Sequence, residues 1–232
     1  MIQKRSNIDG LKFKSNNYFY CILFYYLCTM IDTTQNKVLQ RKFYIRPVIT
    51  VAKELLGKVL IKKDGNQVLA ARIVEVEAYD GNLDKASHSF NGKTKRNEVM
   101  FNEGGYFYVY FTYGAHFCCN VVTGKKEHGA AVLIRAVEPL IGIDTMIKNR
   151  FNRELKSEKE IYNLTSGPGK VCKAFGFNKE HSGLDLTNRT VFIINEPRLK
   201  KSMIGISKRI GITKSVSLPW RFFEIGNPYL SR

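Results

Sequence analysis

The pattern of apolar and polar residues in the first half of the chain predicts two β-hairpins. Residues 58–62 and 67–79 have strand character and flank an Asp-Gly pair, which favours a tight turn between antiparallel strands. Residues 106–111 and 116–122 form a second pair of strand-like segments joined by a short turn. We therefore expect these four strands to lie in an antiparallel arrangement.

The second half of the chain mixes short strands with short helices. Leu140, Ile143 and Ile147 recur at helical spacing and predict a helix over residues 139–150. Further helices are predicted at residues 51–56 and 168–175, with strands at 130–136, 191–195 and 221–224 and polar loops at 81–103 and 156–163. Because no β-α-β order appears, we predict an α+β fold, with flanking helices around a curved, mainly antiparallel β-sheet.

The N-terminal segment has a different character from the rest of the 232-residue chain. Residues 18–31 are apolar but too few to span a bilayer, and basic residues precede them as in a signal peptide. A simpler interpretation is that Met30 is the natural start. We therefore treat residues 1–29 as an upstream or poorly ordered extension and residues 30–232 as a single domain, with no membrane association expected.

The chain is strongly basic, with 37 Lys and Arg against 20 Asp and Glu and a net charge of +17. Such an excess attracts polyanions such as nucleic acid, although the codon bias of an AT-rich genome would also raise the lysine content. The five cysteines include no CxxC pair and the four histidines have no zinc spacing, so no metal site is expected. Buried cysteines in a reducing cytosol are the simplest interpretation.

The strand at 67–79 carries the first candidate chemistry. Alternation places Glu75, Glu77 and Tyr79 on one face together with Ile73 and puts Val74, Val76 and Ala78 on a core face. The glutamate face is either solvated or the floor of a site. Tyr79 continues that face, and His88 follows in a loop that can fold back. The presence of these two side chains weighs against a merely solvated face.

The second hairpin carries a stripe of tyrosines, Tyr106, Tyr108 and Tyr110, on one face. Tyr113 precedes Gly114 at the tip, where an aromatic side chain suits insertion into a base stack. Asn120 lies in the middle of the return strand, where its amide needs a partner in the protein or on a base. Residues 165–170 open a helix with glycines, a hydroxyl group and Lys170, an arrangement that suits a phosphate.

Segments in order along residues 46–231 together resemble the alkyladenine (3-methyladenine) DNA glycosylase family. They are RPVITVAKELLGKVL, RIVEVEAYDG with HSF, KRNEVMF, YVYFTYG with CCNVV, VLIRAVEP, NLTSGPGKVCKAFG, SKRIGIT and PWRFFEIGNPYLS. Each segment alone indicates the family only weakly, but the order and spacing of all the segments together are specific to it. The resemblance implies a single-domain mixed fold, no metal or organic cofactor, and double-stranded DNA with damaged bases as the partner.

The resemblance also implies roles for individual residues. Glu77 matches the general base that activates water, and Arg135 the residue that helps to hold this water. The remaining assignments are Tyr79, His88 and Tyr110 around a flipped base, Asn120 at the wall that rejects guanine, Tyr113 in the gap left in the duplex, and Arg96 and Lys170 on DNA phosphates. A monomeric, cytoplasmic, nucleoid-associated enzyme that hydrolyses the glycosidic bond and leaves an abasic site is expected, without strand cleavage.

Two other classes of protein stay open on sequence grounds. A non-catalytic, basic nucleic-acid-binding protein would share the aromatic and basic surface but would gain nothing from Glu77, which would repel phosphate. The hypothesis of a membrane-anchored protein depends only on residues 18–31. For the enzyme, we expect Glu75→Gln to have little effect, in contrast to a change of Glu77.

Overall fold

A curled antiparallel sheet organises the protein, as seen in a computed structural model that describes residues 37–112 and 114–231. Within these residues the sheet has eight strands, of which six follow the order β3-β4-β5-β2-β1-β6. The last two strands, β7 and β8, pair with each other, and β8 also pairs with β2. The strands are β1 (Val59–Asp64), β2 (Gln67–Tyr79), β3 (Phe107–Thr112), β4 (His116–Thr123), β5 (Ala130–Ile141), β6 (Val191–Ile194), β7 (Ile204–Ser207) and β8 (Arg221–Glu224).

Short helices flank the sheet, as the sequence predicted for an α+β fold. The α-helices of the described residues are α1 (Arg41–Tyr44), α2 (Val48–Leu55), α3 (Ile143–Phe151) and α4 (Pro168–Phe175). Short 3₁₀-helices lie at Glu98–Phe101, Glu158–Asn163, Lys179–His181 and Lys201–Met203. The predicted fold class and both hairpins are therefore confirmed, whereas α1 and β7 were not predicted.

The main core lies between the helices and one face of the sheet. Val51 and Leu55 of α2 and Val171 and Phe175 of α4 are fully buried there against the central strands. Phe107 of β3 belongs to the same core. Its neighbour Tyr108 instead packs with Met100 and Tyr110 in a separate cluster on the other face. The predicted separation of the two aromatic faces of this hairpin is therefore confirmed.

The long strand β2 changes its phase at a bulge, which corrects one predicted face. The register steps from Ile73 opposite Val137 to Glu75 opposite Ala136, so that Val74 is an extra residue. Ile73 consequently points into the main core, while Val74 packs in a small cluster with Tyr229. The prediction that Ile73 shares a face with the glutamates was wrong, and so was the prediction that Val74 shares the core face with Val76 and Ala78. A bulge shifts the period-two alternation by one residue.

The predicted helix over residues 139–150 begins later than expected. Pro139 and Leu140 belong to β5, which runs on to Ile141, and Pro139 lies opposite Ala71 at a register irregularity. The chain turns at Gly142, whose φ of +75° is left-handed and where a Cβ atom would lie 2.4 Å from Leu69 Cδ2. The turn therefore needs glycine, and α3 starts directly after it.

No helix within residues 37–112 and 114–231 is long and apolar enough to cross a membrane. The proposed extension at residues 1–29 lies outside the described residues. Of the cysteines, Cys118, Cys119 and Cys172 are described, and all three are free and buried, as predicted.

Candidate active site

A cavity of about 450 Å³ opens on the sheet face away from the main core. Strands β2 to β5 supply its floor, and two loops supply its walls. One loop follows β2 and the other follows β7. The lining residues are Tyr79, Lys85, Ala86, His88, Met100, Tyr108, Tyr110, Thr112, Cys118, Asn120, Leu133, Arg135, Pro168 and Ile210 to Lys214. Five of the predicted site residues, Tyr79, His88, Tyr110, Asn120 and Arg135, are thus brought together.

One wall of the cavity is aromatic. The rings of Tyr108 and Tyr110 stack at 5.3 Å with an interplanar angle of 27°, and the His88 ring meets Tyr110 edge-on at 4.4 Å. His88 Nδ1 lies 3.3 Å from the Tyr108 hydroxyl. The result is a stacked and hydrogen-bonded surface on which a planar ring can lie.

Burial sets the charge state of this wall. Desolvation and the nearby Arg96 guanidinium lower the pKa of His88 below its ordinary value of 6.5. Desolvation also raises the pKa of Tyr108 to about 12 and that of Tyr110 further. At neutral pH the wall therefore presents a neutral imidazole and neutral phenols.

Glu77 lies beneath the cavity and is completely buried. Its Oε2 accepts a 2.8 Å hydrogen bond from the Tyr79 hydroxyl, and its Oε1 accepts one of 2.8 Å from the Ile210 amide. Arg135 Nη1 lies 3.3 Å from the same Oε1. Tyr79, Ile210 and Arg135 all line the cavity, so the carboxylate is held directly behind the cavity wall by two hydrogen bonds and one ion pair.

Glu75 is also completely buried, which differs from the expectation that it is a dispensable neighbour of Glu77. Its Oε1 accepts hydrogen bonds from Arg135 Nε at 3.0 Å and from Arg221 Nε at 2.7 Å. The Ser231 amide donates to Oε2 at 2.6 Å, and the Ser231 hydroxyl donates to Oε1 at 2.6 Å. Glu75 is not a cavity residue; it anchors Arg135 and the C-terminal segment from below.

Arg135 reaches both glutamates because of a second bulge in the pairing of β2 with β5. The register steps from Glu75 opposite Ala136 to Val76 opposite Ile134, so that Arg135 is the extra residue. A bulge can re-aim a side chain that regular alternation would place elsewhere. The guanidinium thereby lies between Glu75 and Glu77 with its side chain only 8% exposed.

Asn120 has the backbone partner that its place in the strand requires. Its Nδ2 donates to the Tyr108 carbonyl at 3.1 Å, across the β3–β4 pairing. The residue is 4% exposed and lines the cavity between Cys118 and Leu133. The amide is therefore held rigidly at the cavity wall.

The predicted phosphate contacts lie at or near the rim. Arg96 is exposed, donates to the Phe111 carbonyl at 3.2 Å and lies 5.8 Å from the Tyr110 ring centre. Lys170 Nζ contacts Asn163 and Ser166 at the start of α4, next to the lining residue Pro168. Tyr113, the predicted wedge, lies outside the described residues.

Most of the lining residues were not recognised as site residues in the sequence, and the segment at residues 210–214 is the most important of those missed. Residues 210–214 form a wall of the cavity, and Ile210 contributes the amide that binds Glu77. Arg209, directly before them, forms a buried ion pair with Asp84. The segment SKRIGIT was the sequence signal that could have indicated this wall, because it contributed to the family resemblance. Apart from its basic residues, however, it contains no side chain with an obvious chemical role. Among the described residues, no group of three or more His, Cys, Asp and Glu side chains is arranged to hold a metal.

Comparison with known proteins identifies one matching family and several proteins of similar sequence. A sequence model described as methylpurine-DNA glycosylase (MPG) matches residues 42–228. The chain is 46% identical over 200 residues to a protein of Alkaliphilus oremlandii, covering 84% of this chain and 98% of that protein. It is 44% identical over 201 residues to a protein of Clostridium beijerinckii, covering 84% and 99% of the two chains.

A third relative, from Chlorobium phaeovibrioides, is 44% identical over 195 residues, covering 84% of this chain and 96% of that protein. All three relatives carry the name "Putative 3-methyladenine DNA glycosylase". The family match spans all eight strands and every residue that lines the cavity. The chain therefore belongs to the methylpurine-DNA glycosylase family.

Proposed function

We propose that this DNA glycosylase turns alkylated purines of the 3-methyladenine type out of double-stranded DNA and hydrolyses their glycosidic bond. The observation that carries the proposal is the position of Glu77, a buried carboxylate behind the wall of an aromatic cavity. The volume of the cavity, about 450 Å³, falls within the range of ligand pockets.

Recognition would rest on the aromatic residues. A base inside a duplex is inaccessible, so the nucleotide must first be flipped at a cost of about a few kcal/mol. Ring alkylation makes a purine cationic, and Tyr79 and Tyr110 offer electron-rich faces, each worth about 0.5–2 kcal/mol to a cation. His88 is neutral and does not repel such a base. Asn120, fixed at the wall, would discriminate against guanine.

Hydrolysis would use Glu77 as the general base. One water molecule attacks the sugar C1′, its proton passes to the Glu77 carboxylate, and the electrons of the C1′–N bond move to the departing base. A cationic purine becomes neutral as it leaves, so it needs no added proton. The products are the free base and an abasic site in an intact strand. Arg135, within 3.3 Å of Glu77, would help to hold the water.

Residues around the rim would hold the duplex. We assign Arg96 and Lys170 to phosphate contacts and Tyr113 to the gap that the flipped nucleotide leaves. The hairpin that carries Tyr113 also carries Tyr110 and Cys118 of the cavity, so insertion and base binding would occur on one element. We further propose that the enzyme acts as a monomer.

The burial of Glu77 favours an enzyme over a non-catalytic nucleic-acid-binding protein. Burying a carboxylate is costly unless it is fully paired, and a binding protein would gain nothing from it. In this chain Tyr79, Arg135 and the Ile210 amide all converge on it. Such an arrangement is typical of a site where one carboxylate must be held in a defined position.

The test uses duplexes that each contain one defined lesion. The wild-type protein is expected to release the alkylated purine and to leave the strand intact until alkali cleaves the abasic site. Tight binding of the same duplexes with no released base would instead support the non-catalytic binding protein. Strand cleavage before alkali treatment would contradict simple hydrolysis.

A further inference from the structure

A buried arginine contacts the Tyr79 ring from inside the protein. The Arg209 guanidinium carbon lies 4.6 Å from the centre of this ring, within the range of a cation–π contact. The Arg209 side chain has no exposed area. It is not a cavity residue, whereas Tyr79 is. Tyr79 therefore lies between a permanent cation and the cavity.

The charge of Arg209 is neutralised by Asp84, which is also completely buried. Arg209 Nη2 donates to Asp84 Oδ1 at 2.8 Å, and Nη1 binds Oδ2. Nη1 also donates to the Ala78 carbonyl at 2.9 Å, next to Tyr79 in β2. The pair is thus bidentate and fixed to the strand that carries the ring.

This ion pair joins the two loops that wall the cavity. Asp84 precedes Lys85, Ala86 and His88, whereas Arg209 directly precedes Ile210, whose amide binds Glu77. The two partners are 125 residues apart in the sequence. The pair is therefore well placed to position Tyr79, the base-facing loop and the Ile210 amide at the same time.

The pair also contributes to the electrostatic environment of the Tyr79 ring. A lone cation behind the ring would oppose a second cation on the cavity side, since the interior screens charge poorly. Asp84 opposes this effect because it lies against the same guanidinium. Removal of Asp84 would leave a positive charge behind the ring, and removal of Arg209 would leave a negative one.

We propose that Arg209 and Asp84 together are positioning residues that also determine specificity: the pair braces Tyr79 and keeps its cavity face attractive to a cationic base. This inference rests on the proposed function. Its distinctive consequence is that the two single substitutions change charge selectivity in opposite directions. A purely structural pair would change it in one direction or not at all.

The experiment measures the dissociation constants of duplexes that differ at one position. This position carries cationic 7-methylguanine, neutral hypoxanthine or unmodified guanine, and the protein carries Glu77→Gln to prevent turnover. Selectivity is the affinity for 7-methylguanine divided by that for either neutral base. Asp84→Asn is expected to lower it and Arg209→Gln to raise it, each by at least about threefold.

Two further variants serve as controls. Arg209→Gln combined with Asp84→Asn removes both charges and is expected to return selectivity close to the value of the Glu77→Gln parent. Glu138→Gln alters another partly buried ion pair, with Arg72 at 2.5 Å, whose members do not line the cavity. It is expected to leave selectivity unchanged. Because selectivity is a ratio measured on one sample, a reduced folded fraction cancels.

Equal selectivity in the two single variants, or shifts in the same direction, would overturn the inference. If one single variant does not fold, the other single variant and the double variant still test the inference. The single variant is expected to differ in selectivity from the Glu77→Gln parent, and the double variant is not. Failure of the proposed function is distinguishable, because the unsubstituted protein would then release no base from 7-methylguanine duplexes.

Discussion

The Tyr79 hydroxyl donates a 2.8 Å hydrogen bond to Glu77 Oε2. The two residues follow each other on the same face of β2, so a residue proposed to stack on the base also holds the residue proposed to activate water. Burial and the Glu77 carboxylate raise the pKa of Tyr79, which keeps its proton available for this bond. In the proposed mechanism, base recognition and water activation would therefore share one strand.

Glu77→Gln should leave the affinity for lesion-containing DNA near the wild-type value and lower base release at least about a hundredfold, because glutamine cannot accept the proton of water. Single-turnover release together with a binding titration would measure both effects. The matched control is Glu138→Gln on β5, which should keep full activity. Release by Glu77→Gln within a few-fold of wild type would remove Glu77 from the mechanism.

Glu75→Gln should destabilise the fold by about 3 kcal/mol or more, since it removes the buried negative charge that pairs with Arg221 and with Nε of Arg135. Urea denaturation of the variant and of Glu138→Gln would provide the comparison. This expectation replaces the one drawn from sequence, in which Glu75 was a dispensable neighbour. A free energy of unfolding equal to that of wild type would show that the network around Ser231 contributes nothing.

Asn120→Ser should allow unmodified guanine to enter the cavity more readily, because the shorter side chain leaves space at the wall and no longer presents the amide. Release of guanine from undamaged duplex should rise by about tenfold, the scale of one lost polar discrimination. Single-turnover assays with excess enzyme would detect it. Unchanged guanine release, with normal release of the alkylated base, would contradict the role of Asn120.

His88 should make the protein less stable in mild acid. Its pKa is lowered in the folded state, so the unfolded chain binds a proton first as pH falls below about 6.5. The stability from neutral His88 is therefore complete above that pH and is lost as pH falls through the lowered folded value. His88→Gln should lose less stability than wild type between about pH 7.5 and about pH 5.5.

The control for this pH dependence is His116→Gln, which changes an exposed histidine. It should retain the wild-type loss of stability, as measured by urea denaturation at both pH values. Equal losses in all three proteins would mean that His88 titrates alike in the folded and unfolded states.

Tyr113→Ala should cost almost no stability but should reduce base release, because a flipped base can then return to its stack. A tyrosine that belongs to a core would instead cost about 3 kcal/mol or more. The loss of activity should be smaller for a lesion opposite a mismatch, where the base is already loosely held. A thermal melt and assays on paired and mispaired duplexes test this directly, and an equal loss on both duplexes would argue against a wedge.

The local elements could be predicted from the sequence, and so could five of the residues that line the cavity. Both hairpins follow from short-range patterns, and the alternation in β3 separates Tyr108 and Tyr110 from Phe107 and Val109 correctly. These features depend on neighbours two residues apart or on turn residues. The period of a strand therefore determines them without reference to the rest of the chain.

The tertiary structure alone decided which partners these residues meet. The bulges at Val74 and Arg135 moved Ile73 into the core and aimed Arg135 between the two glutamates, and no periodic pattern marks a bulge. The pairing of Arg209 with Asp84 joins loops 125 residues apart. Such contacts arise only when the whole chain folds, because the burial of a charge depends on what packs around it and not on its neighbours in sequence.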